Sequence, residues 1–300
     1  MVYIDINNKK IEILYKGVNK PTILILSGMG CSIYEWDKII TKLSNKYRVL
    51  MYHRPGLGES EYTNDTRATL KVTQEIIYLL EYLDINEPII LVGHSYGGLC
   101  AQHFTKLYPD KIRGLLLLDS TSVNLHKLDQ LELPYMNEND SDIAWIEKCK
   151  RYSSLSPEEL YNTLNPILTD KQRMLSVETQ KKIIAFYTNP TLYKTMIKEI
   201  ENWKSDAEII KNIKFRGAFP VTIIGRDKGM CVSESVQFGN PINEAELLEQ
   251  TWHELIIEQK HLYKNAKLTF AINASHDIHL DQPNLVTNEI IEMINKTNFI

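Results

Sequence analysis

A Gly-x-Ser-x-Gly pentapeptide, Gly93-His94-Ser95-Tyr96-Gly97, stands where an apolar run, Pro88 to Val92, passes without a break into a helical pattern, Leu99 to Tyr108. A strand that turns this sharply into a helix forces the residue at the bend into strained backbone geometry and pushes its side chain outwards. The flanking positions must be small, because the strand end and the helix start nearly touch, and here both are glycine. Ser95 is then an exposed hydroxyl at the carboxyl end of a strand, beside the first amides of a helix.

The remaining segments are compatible with that bend. Val2-Tyr3-Ile4-Asp5-Ile6 alternates, Asn7-Asn8 punctuates, and Lys10 to Tyr15 alternates again, which reads as an antiparallel hairpin. Thr22 to Leu26 is a continuous β-branched and leucine run, the mark of a strand buried on both faces. Trp36, Ile39, Ile40 and Leu43 recur at helical spacing and predict a helix over Tyr34 to Leu43. A strand over Arg48 to Tyr52 follows, then a Gly/Pro-rich loop beginning at His53, and a long helix through Leu70, Ile76, Ile77, Leu80 and Leu83. After the Ser95 turn comes another buried strand, Leu115 to Leu118, ending at Asp119. Strands alternating with helices at this spacing make an α/β fold with a mostly parallel central sheet and helices on both faces.

The alternation stops over 124–215, where the pattern is helical with no convincing buried strand. It resumes with a strand over Val221 to Ile224, breaks for an insertion around Gly229 to Glu244, and then predicts a helix over Glu246 to His261. A last strand over Lys267 to Ile272 and an amphipathic helix over Leu285 to Ile294 complete the chain. The domain reading is a core formed by 1–123 and 216–300, with an all-helical insertion, 124–215, between two sheet strands.

Composition narrows the function classes. A net charge of −4 supplies no basic field for nucleic acid, and no run reaches the roughly 18 apolar residues of a membrane span. Met1 to Lys10 lacks a signal-peptide core, which makes a cytoplasmic location the expectation. Cys31, Cys100, Cys149 and Cys231 show no CxxC or Cys/His ligand spacing and read as buried free thiols. No metal and no organic cofactor is implied; the expected partner is a small-molecule substrate.

Acyl transfer at a serine needs a base, a group that orients the base, and donors for the oxyanion. In an open parallel sheet these lie on loops at the carboxyl ends of strands. Of eight histidines, His94 precedes Ser95 and so points away from it, and His103, His126 and His253 fall in helical segments. His53 ends a strand and lines a prospective pocket. His276 follows the last strand, ahead of its neighbour His279, and is the expected base. The oxyanion donors are expected to be the Tyr96 N–H, opening the helix, and the Met29 N–H in Ser27-Gly28-Met29-Gly30. Gly28 and Gly30 there let the backbone approach substrate closely.

These residues resemble those of the α/β-hydrolases over nearly the whole chain. Ser27-Gly28-Met29-Gly30 stands where many members have His-Gly-x-Gly. Tyr52-His53-Arg54-Pro55-Gly56-Leu57-Gly58-Glu59-Ser60 is similar to their Tyr-Asp-Arg-x-Gly-x-Gly-x-Ser stretch. Gly93 to Gly98 resembles the nucleophile elbow, and His276 to Pro283 the histidine loop, with Ser275 in place of the usual glycine. The resemblance implies an α/β-hydrolase fold in which the helical insertion is a cap roofing the active site. It implies a serine hydrolase acting on a carboxylic ester or related acyl compound. The same scaffold also serves acyl transfer, carbon–carbon cleavage, and ligand-sensing receptors with little turnover.

The acid departs from the common pattern. Most members carry it after the next-to-last strand as Gly-x-x-Asp, but here Ile224-Gly225-Arg226-Asp227-Lys228 puts Lys228 at that position and Asp227 one residue early. A smaller set of relatives, the haloalkane dehalogenases among them, places it after the earlier strand, where this chain has Leu118-Asp119-Ser120. Asp119 ends a buried strand on the same sheet edge as Ser95 and is favoured; Asp227 stays open as the alternative.

Overall fold

A computed structural model describes residues 2–6 and 8–297; Asn7, half of the expected hairpin punctuation, lies outside the described residues. The strands are β1 Val2–Ile6, β2 Lys9–Lys16, β3 Thr22–Leu26, β4 Arg48–Tyr52, β5 Ile89–His94, β6 Ile112–Leu118, β7 Val221–Gly225 and β8 Lys267–Phe270. They form a single sheet in the order β1-β2-β4-β3-β5-β6-β7-β8. The β1–β2 and β2–β4 pairs are antiparallel, and every pair from β3–β4 to β7–β8 is parallel. β5 therefore lies between β3 and β6, so three neighbouring strands deliver their carboxyl ends to the Ser95 turn.

Strand periodicity divides the core. Leu24, Leu26, Leu50, Leu91, Leu115, Leu117 and Ile223 face one side, against helices α2 (Thr69–Tyr82) and α3 (Tyr96–Leu107). Ile23, Ile25, Val49, Met51, Ile90, Val92, Leu116 and Leu118 face the other, against Ile39, Ile40 and Leu43 of α1 (Asp37–Ser44) and the carboxyl-terminal helix. All five residues of β3 are buried, as a strand covered on both faces must be.

Between β6 and β7 the chain is helical: α4 Pro134–Asp140, α5 Asp142–Ser153, α6 Pro157–Leu164, α7 Asp170–Arg173, α8 Val177–Tyr187 and α9 Pro190–Asn212. Cys149, Leu160, Phe186, Leu192 and Tyr193 form a small apolar cluster there, closed by Leu57 from the loop after β4. After β7 follow α10 Lys228–Gln237, α11 Ile242–His261, α12 Ile278–Asp281 and α13 Pro283–Thr297.

Boundaries shift in instructive ways. The segment expected as an insertion, around Gly229 to Glu244, is mostly helix α10, started by the Asp227 side chain, which accepts from Gly229 N and Met230 N. α11 starts at Ile242 rather than Glu246, β8 stops at Phe270, and a short 3-10 turn, Ile33–Trp36, precedes α1. Cys100, Cys149 and Cys231 are buried free thiols, whereas Cys31 is half-buried. Among the described residues no helix is long and apolar enough to cross a membrane.

Candidate active site

Ser95 sits at φ 52°, ψ −124°, a conformation that costs an L-residue energy and persists only when its surroundings enforce it. They do: its N–H donates to Leu118 O at 3.1 Å, and its carbonyl accepts from Thr121 N at 3.1 Å and Gly98 N at 2.8 Å. Gly97 is required, since a Cβ there would lie 2.3 Å from Leu26 O. Ser95 is half-buried among otherwise buried neighbours.

The loop after β3 lies against it. A Cβ on Gly28 would meet Ser95 Cβ at 3.1 Å and Cys31 Sγ at 3.0 Å, so a larger residue would crowd the serine. Arg54, at the end of β4, donates to Ser27 O (2.8 Å) and Gly28 O (3.0 Å). Carbonyl and N–H of a trans peptide point in opposite directions, so the Met29 N–H is turned away from Arg54. It has no protein acceptor among the described residues. Tyr96 is the first residue of α3, whose N–H has no acceptor within the helix. Gly30 adopts φ +63° beneath Met196 of α9; a Cβ there would be 2.9 Å from its Sδ.

His276 lies on the loop after β8. Its Nδ1 is 2.5 Å from Asp119 Oδ2, and its carbonyl accepts from His94 Nε2 at 3.0 Å. Asp119 is fully buried just beyond β6, at φ 39°. Its Oδ1 accepts from Trp252 Nε1 (3.0 Å) and Arg226 N (3.3 Å), and Arg226 Nη1 is 3.3 Å from Oδ2. Burial by itself would raise the Asp119 carboxyl; the Arg226 charge, the His276 bond and the Trp252 N–H outweigh it and hold it at about 2. Arg226 is in turn clamped by Glu249, with contacts of 2.9 and 2.7 Å, and lies over the Trp252 ring.

Asp227 does not join this group. One carboxylate oxygen caps α10 and the other accepts from Asn273 N at 2.9 Å. His279 is 2% exposed and stacked on Trp36 with ring centroids 4.4 Å apart. His103 pairs with Thr69 Oγ1.

The expectation that His53 lines a pocket is corrected. It is fully buried, with Nδ1 2.7 Å from Glu12 Oε2 and Nε2 accepting from Ile33 N at 3.1 Å. Both nitrogens are committed to bracing the loops after β3 and β4, so no polar atom is left to meet a substrate. Arg226, Glu249 and Trp252 were not among the expected residues. Arg226 lies one place from Asp227 in the motif, but its partners are 107 and 23 residues away and no local pattern points to them.

The helical segment covers these loops. Glu199 of α9 receives Arg54 Nε at 2.7 Å, Tyr187 and Gln172 donate to Glu35, and Phe186 stacks on His53. Atoms of His94, Asp277 and His279 lie within 4.8 Å of one another.

The family profile of the α/β hydrolase fold matches residues 21–193. YbdG of Bacillus subtilis (strain 168) is 28% identical over 118 residues, which are 39% of this chain and 36% of YbdG. The chain thus spans well under two thirds of that relative. The solved structure of MGS-M2, an α/β hydrolase enzyme from a Medee basin deep-sea metagenome library, has TM-score 0.65 at 20% identity, covering 98% of this chain and 97% of its own. The enol-lactonase from Burkholderia xenovorans LB400 has TM-score 0.66 at 17% identity, covering 98% and 100%. At these identities the structural likeness is one of fold.

Proposed function

The chain belongs to the α/β-hydrolase fold family, and from that premise we propose that it is a serine hydrolase cleaving a carboxylic ester or related acyl compound. The observation that carries the reading is the 2.5 Å contact between His276 Nδ1 and Asp119 Oδ2, made by two separate loops at the sheet edge that also presents Ser95. With Nδ1–H donated to Asp119, the lone pair of His276 resides on Nε2, the form a general base requires.

In this mechanism Ser95 Oγ attacks the acyl carbon while its proton passes to His276 Nε2. The carbonyl oxygen becomes an oxyanion and is met by the N–H groups of Met29 and Tyr96. Collapse expels the alcohol, which takes the proton from His276, and leaves Ser95 acylated. Water repeats the sequence: His276 accepts its proton, the hydroxyl adds to the acyl carbon, and Ser95 leaves reprotonated with release of the acid. Asp119 stays ionised throughout and steadies the imidazolium. The segment 124–215 acts as a cap, and Met196, pressed on Gly30, places an apolar side chain beside the proposed oxyanion loop. That favours an acyl or alcohol group of modest size and low charge.

Labelling with a fluorophosphonate probe tests the nucleophile directly. The native protein is expected to form a covalent adduct that Ser95→Ala abolishes, and undiminished labelling of that variant rejects the assignment.

A further inference from the structure

Arg226 is out of place beside a group of this kind. Its Nη1 lies 3.3 Å from both Asp119 Oδ2 and His276 Nδ1. Arginine only donates, and Nδ1 already carries the hydrogen given to Asp119, so the approach to the ring is not a hydrogen bond. It sets a permanent cation beside the imidazole that must become an imidazolium in each half-reaction. The guanidinium is 12% exposed, too little for water to screen it fully. Glu249 supplies the opposing anion through two contacts of 2.9 and 2.7 Å, and Trp252 stacks below while binding the other oxygen of Asp119.

Resting on the serine-hydrolase reading, we propose that Arg226 is a positioning residue which, with Glu249 as its counter-charge, sets the lower pH limit of Ser95 activation. The charged and titratable groups facing this cluster come from every packed element. They are Asp119 beyond β6, Glu249 on α11, Cys231 and Glu234 on α10, His94 at the end of β5, and Asp277 and His279 beside His276. Of the two carboxylates that meet the Arg226 guanidinium, Asp119 at Nη1 and Glu249 at Nε and Nη2, Glu249 does not touch His276, so it and Arg226 are a pair of charges that can be removed separately or together.

The test is the rate of fluorophosphonate labelling of Ser95 against pH in the full chain, which needs no knowledge of the natural substrate. Arg226→Met removes the cation, so protonation of the base comes more easily and the acid limb of the profile moves up. The expected displacement is about one pH unit, the low end of what a charge within 4–6 Å produces. Glu249→Gln leaves Asp119 as the one carboxylate bonded to the cation and moves the limb the opposite way, by roughly half a unit given the greater distance of Glu249. Because Arg226→Met leaves two buried carboxylates facing each other, Arg226→Met/Glu249→Gln carries the same test with charge balance restored, and its limb lies between those of the single variants. Arg226→Lys keeps the charge but loses the fork: the limb stays in place while the rate falls. A merely structural clamp lowers rates without opposed displacements, so limbs that do not move, or that move the same way in both single variants, overturn the proposal. Absence of any Ser95-dependent labelling in the native protein rejects the underlying hydrolase reading instead.

Discussion

Glu199→Gln is the most searching perturbation of the link between the helical segment and the sheet. Arg54 and Glu199 are 145 residues apart, their side chains are 2% and 0% exposed, and they meet at 2.7 and 3.2 Å. Burial alone would lower the Arg54 guanidinium, and Glu199 raises it well past its ordinary value. Removing one member of such a pair strands a charge in a dry interior, at a cost of about 3–5 kcal/mol. Arg54 keeps the Ser27 and Gly28 carbonyls as acceptors, so the lower end applies, about 3 kcal/mol. For a chain of this size that is a fall of roughly 6 °C in Tm. Urea unfolding followed by tryptophan fluorescence measures it. Arg54 also turns the Gly28–Met29 peptide, so the same variant is expected to slow Ser95 labelling about tenfold, short of the 10²–10³ lost with a whole oxyanion donor. A destabilisation under about 1 kcal/mol with unaltered labelling refutes both steps of the reasoning.

Asp119→Asn is expected to slow labelling and ester turnover by about 10⁴, since the amide stabilises the wrong imidazole tautomer. Asp227→Asn is expected to stay within a few-fold, because asparagine caps a helix nearly as well; the reverse ranking reassigns the acid. Glu35 supplies a pH test: burial pushes its carboxyl up to about 7 from 4.5, against the pull of its bonds from Gln172 and Tyr187. An acid raised on folding keeps its proton in the folded state, so its stability contribution is complete below about 4.5 and is lost as pH rises through about 7. Glu35→Gln should therefore gain on the native protein by up to about 3 kcal/mol between pH 5 and pH 8.5 in urea unfolding, and a pH-independent difference defeats this account.

The elements read most clearly from the sequence are those whose cause is local. Ile23–Leu26, Val49–Tyr52 and Ile89–Val92 are continuous apolar runs, and a run of that length has few ways to bury itself other than as a covered strand. The Ser95 bend was legible for the same reason, because strand, glycines and helix are contiguous. The helix α10 was not, since its start depends on the Asp227 side chain capping two amides in a segment of weak periodicity.

For the partner of His276 the sequence favoured Asp119, through the offset Gly225-Arg226-Asp227 turn, but left Asp227 open, and it gave no sign of Arg226. Asp119 and Asp227 both end strands at the same sheet edge, and one residue of offset separates a side chain aimed at His276 from one that caps a helix. The choice came from β6 lying directly between β5 and β7, which brings Asp119 under the loop after β8 and inserts Arg226 beside it. His53 shows the converse. Its position at a strand end suggested exposure, and the Glu12 carboxylate from an antiparallel strand claimed it. Ser95 and the position of His276 after the last strand were thus set by short-range pattern, which a linear chain displays openly. The pairing of Asp119 with His276, the placing of Arg226 beside it and the burial of His53 were decided by groups that meet across 41 to 157 residues, and only the packed sheet brings those together.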